Sequence, residues 1–179
     1  NDICHEMSTC FADLLSDRQV TFIPGDAEQL SFPSGQDLIV SCSALQWFVS
    51  PELFFKRCNA LLSGHGYFAF STFGKENLKE IAAVTGSGLH YYSLEELKKS
   101  LSMHYNIVTA GEERIRLTFA TPLDVLYHLK HTGVTAVCRQ AWTKGDLQEF
   151  CDKYAKLFSC GNAVTLTYHP LYIIARKKP

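Results

Sequence analysis

The sequence predicts an α/β protein built on a layered, mostly parallel sheet, and three stretches carry that expectation. From Val20 to Ser71, apolar strand-like runs alternate with amphipathic helical ones. Within that region Asp37-Leu38-Ile39-Val40-Ser41-Cys42 is nearly continuous in apolar residues, the pattern of a strand covered on both faces. In the second half Leu147, Phe150, Cys151, Tyr154, Leu157 and Phe158 share one face of a helical period, which predicts a long amphipathic helix.

The 179 residues suit one domain, and 46% hydrophobic residues is ample for a packed core. No run of about eighteen apolar residues occurs, so no transmembrane helix is expected. The polar start Asn1-Asp2 is not that of a signal peptide. Seven cysteines, an odd number without a Cys-x-x-Cys pair, point to free thiols in a reducing cytoplasm. Residues 1–84 hold ten acids against five bases and residues 85–179 eight against twelve, so the second half is the better docking face for an acidic partner. The bases are dispersed, which argues against nucleic acid.

In chain order, Asn1-Asp2 reads as the end of a strand and His5 to Ser16 as a helix with Met7, Phe11, Leu14 and Leu15 on its apolar side. A parallel sheet that opens this way calls for earlier βα units upstream. Val20 to Ile23 reads as a strand, Gly25-Asp26 as its turn, and Asp37 to Cys42 as the next strand. Ser50-Pro51-Glu52 opens a helix with an N-cap, a proline at the first position and an acid in the first turn. That helix buries Phe54, Cys58, Leu61 and Leu62 and stops at Ser63-Gly64, ahead of a buried strand from Gly66 to Ser71.

Residues 76–84 read as a helix broken by Gly86-Ser87-Gly88, and Ser93-Leu94-Glu95-Glu96 is a capping box. Tyr105 to Ala110 and Arg114 to Phe119 alternate polar and apolar residues around Gly111-Glu112-Glu113, which predicts two antiparallel strands. Thr121-Pro122-Leu123-Asp124 and Thr143-Lys144-Gly145-Asp146 start two further helices. Val164 to Ala175 closes the chain as a strand that Pro170 assigns to an edge or a bulge.

In open α/β sheets ligands bind beyond the carboxyl ends of the strands. Asp2 stands where a nucleoside-binding sheet places a carboxylate, since ribose hydroxyls need an acceptor of two hydrogen bonds. Asp26, one strand later, is placed to accept from an adenine amino group while the Ala27 amide donates to a ring nitrogen. Taken singly, each acid also suits a plain turn or cap; their spacing by one helix and one strand favours the joint reading. His128 and His131, or Cys4, His5 and Cys10, do not complete a zinc set, so no metal is expected. Ser41-Cys42-Ser43 lacks the Gly-x-Ser-x-Gly elbow of hydrolases.

Asn1-Asp2-Ile3-Cys4 with Met7, Gly25-Asp26-Ala27-Glu28, Asp37-Leu38-Ile39-Val40-Ser41 with Leu45-Gln46-Trp47, and Leu62-Ser63-Gly64-His65-Gly66 resemble the later motifs of class I S-adenosylmethionine-dependent methyltransferases. The segment Pro122 to Val134 and the ending Leu166-Thr167-Tyr168-His169 resemble, more narrowly, the malonyl-[acyl-carrier protein] O-methyltransferases of biotin synthesis. The resemblance spans nearly the whole chain. The glycine-rich loop that follows the first strand of that family has no counterpart here, which the resemblance reads as a missing amino-terminal βα unit and a fragment that binds cofactor weakly when alone.

The resemblance implies a Rossmann-like three-layer sheet with a mostly helical lid insertion: residues 1–84 as cofactor core, 85–160 as lid with late core elements, and 161–179 as a closing antiparallel strand. It implies S-adenosylmethionine as cofactor, with Asp2 on the ribose, Ile3 and Met7 flanking adenine, Asp26 and Ala27 reading its edge, and Ser41, Ala44, Leu45 and Gln46 bordering the sulfonium. The substrate would be malonyl on its carrier protein or as a CoA thioester, with no membrane partner. A carboxylate nucleophile is ionised at neutral pH, so no general base is needed, and catalysis rests on proximity and desolvation. Trp47, Phe48, Tyr91 and Tyr92 are candidates for the apolar wall, and Arg114, Arg116, Lys130 and Arg139 for the cation that selects the carboxylate. The alternatives are a methyltransferase acting on another small molecule, such as a quinone precursor, and a non-catalytic α/β binding module.

Overall fold

The apolar runs and caps of the sequence become two sheets, each with its own core, in a computed structural model that describes residues 1–134 and 142–179. The main sheet is made of β1 (Gln36–Cys42), β2 (Leu62–Phe73), β3 (Tyr105–Glu112) and β7 (Pro170–Lys177). Their order is β1-β2-β7-β3, with β1 and β2 parallel and β7 antiparallel to both of its neighbours.

A short 3-10 turn at Leu45–Trp47 leads into α3 (Pro51–Leu61), which connects β1 to β2. Proline at the start and Glu52 in the first turn favour that helix, although the Ser50 side chain makes no capping bond. Phe54, Phe55 and Cys58 of α3 are buried against Phe68 and Phe70 of β2, where the rings of Phe55 and Phe70 stack at 5.6 Å between centroids. The Ser93–Glu96 capping box is formed and opens α5 (Leu94–Leu101), which adds Leu97 and Leu101 to the same core. Tyr105 is fully buried and its hydroxyl donates to the Phe55 carbonyl at 2.8 Å, so its one polar atom is satisfied. Each large side chain so buried stabilises the fold by about 1.5–3 kcal/mol.

The second sheet holds β4 (Ile115–Phe119), β5 (Ser159–Cys160) and β6 (Ala163–Tyr168) in the antiparallel order β4-β6-β5. Packed with it are α4 (Lys79–Thr85), α6 (Pro122–His131) and α7 (Lys144–Phe158). Both predicted helix starts hold, and each is closed by a capping box, Thr121 with Asp124 and Thr143 with Asp146. Val125, Leu129, Phe150, Tyr154, Val164 and Leu166 form the second core. The predicted face of α7 is correct at Phe150 and Tyr154, whereas Leu157 is about half exposed.

Several expectations change. Val20 to Ile23 is not a strand: a single parallel bridge joins Asp2 to Pro24, and a strand needs a longer ladder than that. The helix over His5 to Ser16 is two short pieces, α1 (Met7–Cys10) and α2 (Ala12–Leu15), interrupted at Phe11, and Phe11 and Leu14 are exposed. β1 is not covered on both faces, because Leu38 and Val40 lie 56% and 58% exposed. β3 and β4 are not partners, since β3 pairs with β7 in the main sheet and β4 with β6 in the second. The strand expected from Val164 to Ala175 is β6 and β7, split at His169-Pro170 between the two sheets.

Candidate functional site

The turn after Pro24 shapes one side of a cleft. Gly25 takes φ 130°, a conformation that favours glycine, and its N–H donates to the Asp2 carbonyl at 2.8 Å. The Asn1 amide donates to the carbonyls of Ile23 and Gly25 at 2.6 and 3.0 Å. These bonds fix residues 1–2 against residues 23–25, and both Asp2 and Asp26 line the cleft, whose volume is about 950 Å³.

The two acids are held alike. Asp2 Oδ1 accepts from the Cys4 N–H at 2.8 Å and Asp26 Oδ1 from the Glu28 N–H at 2.8 Å. Each thus spends one oxygen on its own turn, and among the described residues no hydrogen bond reaches either Oδ2. The Ala27 amide likewise has no partner among the described residues. Ile3 lines the cleft and is 74% exposed. The far wall comes from the carboxyl end of β1 and the turn after it, through Ser41, Ala44, Trp47 and Phe48.

Other predicted cofactor residues lie elsewhere. Met7 sits half-buried on α1 and does not line the cleft. Leu45 is buried in the first core. Gln46 turns away from the cleft, donating to the Ser43 carbonyl at 2.5 Å and accepting from the Thr72 hydroxyl at 3.1 Å.

Sequence reasoning gave Glu28 no role, yet its carboxylate joins the two walls. Oε2 accepts from the Val49 N–H and Oε1 from the Ser50 N–H, both at 2.8 Å. Arg57 of α3 donates to the Glu28 and Leu30 carbonyls. The only signal was an acid directly after the Gly-Asp-Ala turn, and its partners stand more than twenty residues away.

The predicted substrate residues are scattered. Trp47 stands half-exposed in the cleft wall, and Tyr92 packs against the first core, its hydroxyl pushed up by burial and by Glu52. Arg114 is taken by two acids, its Nε donating to Glu76 and its Nη1 to Glu112 Oε1 at 3.1 Å. Arg114, followed by Lys79, holds the Glu76 carboxyl down to about 2. Arg116 on β4 and Lys130 on α6 are exposed and do not line the cleft, and Arg139 lies outside the described residues. His128 meets Tyr168 across 3.0 Å. Among the described residues no group of three His, Cys, Asp or Glu is placed to share a metal ion, and no helix is long and apolar enough to cross a membrane.

The donor set fits a nucleoside-bearing sulfonium cofactor: two open carboxylate oxygens, one open amide and an apolar side chain surround a cleft of that size. A family described as a methyltransferase domain matches residues 1–70. The chain is 56% identical over 188 residues to the malonyl-[acyl-carrier protein] O-methyltransferase of Bacteroides thetaiotaomicron, with 99% of this chain and 72% of that protein aligned. It is also 56% identical, over 99% of its length, to the protein of the same name from Bacteroides fragilis, and there it spans 36% of the relative. A putative methyltransferase from Bacillus halodurans superposes with a TM-score of 0.69 at 16% identity, covering 99% of this chain and 81% of that one, which shows the Rossmann-like methyltransferase fold. By the identity and the length it shares with these relatives, the chain belongs to the malonyl-[acyl-carrier protein] O-methyltransferase family.

Proposed function

We propose that the protein transfers a methyl group from S-adenosylmethionine to the free carboxylate of a malonyl thioester carried on acyl-carrier protein, in the cytoplasm, as a step of biotin synthesis. The supporting observation is that Asp2 and Asp26 line one cleft, each with Oδ1 committed to its own turn and Oδ2 open. In this reading Asp2 holds the ribose hydroxyls, Ile3 covers one face of the adenine, and Asp26 with the Ala27 amide reads its edge. Ser41 and Ala44 border the reacting end. When bound, the cofactor supplies an electrophilic methyl group.

The chain's own part is positional. The attacking carboxylate is ionised at neutral pH, so no side chain need remove a proton. Trp47 and Phe48 exclude water from a reaction that disperses opposite charges, and a dry wall favours that dispersal. Arg114 is already neutralised by Glu76 and Glu112, which leaves Arg116, Lys130 and Arg139 as candidates for the carboxylate.

The test is methyl transfer from labelled S-adenosylmethionine by the full-length protein to malonyl-carrier protein and, separately, to malonyl-CoA. Label on the malonyl carboxyl group is the expected result. Cofactor binding without transfer to either thioester overturns the substrate, and no cofactor binding at all leaves the reading of the two acids without support.

A further inference from the structure

The chain passes between the two sheet bodies four times: after β2 at Gly74–Leu78, between α4 and α5 near Tyr91, between β3 and β4 at Glu113-Arg114, and between β6 and β7 at His169. Hydrogen bonds tie all four passages together, and His169 stands at their centre. Its backbone carbonyl accepts from the Gly74 N–H at 2.7 Å, and its N–H donates to Asn77 Oδ1 at 3.2 Å. The Asn77 amide in turn donates to the Tyr91 hydroxyl at 3.1 Å. On the imidazole, Nδ1 accepts from the Glu76 N–H at 3.1 Å. A backbone amide can only donate, so in the neutral ring Nε2 carries the hydrogen and donates it to Glu112 Oε2 at 3.2 Å. Arg114 joins Glu76 to Glu112 around the outside.

The ring is enclosed as well as bonded. Its side chain is 4% exposed, and a Cβ on Gly74 would stand 2.6 Å from its Cε1, so the passage after β2 is shaped to receive it. Close by, Leu78 holds a left-handed φ of 53° while its N–H donates to the Thr167 carbonyl at 2.8 Å. A non-glycine residue keeps that conformation only where its surroundings hold it. Tyr91, at the end of the bonded chain, lines a small hollow with Gln46, Thr72 and Tyr92, beside the turn that walls the cleft.

We infer that His169 is a positioning residue of this enzyme: it seats the second sheet and its helices on the main sheet and, through Asn77, holds Tyr91 beside the turn that walls the cleft. The catalytic part of the inference rests on the proposed function; the mechanical part does not.

The full-length protein is compared with its His169→Ala, His169→Asn and Gly74→Ala variants. His169→Ala should speed hydrogen exchange at the Gly74, Leu78 and Glu113 amides, which bond across the passages, while β1 and β2 keep wild-type protection. It should leave the S-adenosylmethionine Kd within about twofold and lower kcat on the malonyl thioester by about tenfold or more, because misplacement of this kind costs rate rather than cofactor affinity. His169→Asn keeps an acceptor for the Glu76 amide and should recover most of that rate, and Gly74→Ala should reproduce the loss with the imidazole intact. Wild-type exchange and wild-type kcat in His169→Ala would overturn the inference. So would a loss of cofactor binding in step with kcat, since that reports collapse of the main sheet. If His169→Ala does not fold, the Asn and Gly74 variants decide, and wild-type behaviour in Gly74→Ala counts against it. A wild-type enzyme inactive on malonyl thioesters ends the substrate reading, while the exchange measurements still judge His169.

Discussion

The Gly25 amide lies 2.8 Å from the Asp2 carbonyl that accepts from it, and that bond sets where two carboxylates stand relative to each other. It holds the residue before Asp26 against Asp2 itself, so two acids separated by more than twenty residues face one cleft.

Removing either charge should therefore weaken cofactor binding without unfolding the protein. Asp2→Asn and Asp26→Asn each keep the oxygen that makes the local turn and lose the charged acceptor. A hydrogen bond to a charged group contributes about 1.5–3 kcal/mol, so Kd for S-adenosylmethionine by calorimetry should rise between about ten- and a hundredfold in each variant.

Glu28 should act on the cleft through the backbone. Glu28→Ala leaves the Val49 and Ser50 amides without their acceptor and should lower stability by about 1–3 kcal/mol in denaturant titration. Glu28→Gln keeps one oxygen and should cost about half as much. Wild-type stability in both variants would show that the clamp contributes nothing.

Glu80 is 1% exposed, and its carboxylate accepts from the Thr167 N–H at 3.0 Å and the Thr167 hydroxyl at 2.6 Å. Glu80→Ala should destabilise the second sheet by about 2–5 kcal/mol, because two buried donors are left unpaired. Glu80→Gln, still able to accept, should lose less, and differential scanning calorimetry measures both.

The carboxyls of Glu76 and Glu96 are held down to about 2, Glu76 chiefly by Arg114 and Glu96 chiefly by Lys75. A carboxyl lowered on folding stabilises the fold above its unfolded value, and that stability is lost as pH falls through the folded value. Their contribution should therefore be complete above about pH 4.5 and fade towards about pH 2. Tm measured across that window should fall less steeply in Glu76→Gln, and added salt should reduce the difference because both pairs are exposed to solvent.

The thiols should separate by place. Cys58 is buried in the first core and burial pushes its thiol up to about 12, so alkylation should await unfolding. Cys42 is exposed and lines the cleft, so it should react in the folded protein and more slowly once S-adenosylmethionine is bound. Mass spectrometry of the labelled peptides reads both rates.

What the sequence determined by itself was local. The Ser93–Glu96 capping box, the helix starts at Thr121 and Thr143, the proline start of α3 and the buried stripe of α7 were legible because each rests on groups within a turn or two of one another. The acids at 2 and 26 were legible as a pair from their spacing and the turn between them. Only the tertiary structure decided which strands are partners, since a strand alternates in the same way whichever sheet it joins. That is why β3 and β4, adjacent in sequence, part company, and why the closing run divides at His169-Pro170. The same limit hid Glu28 and His169, whose side chains act on backbone and acids brought close by folding, a distance no local pattern records.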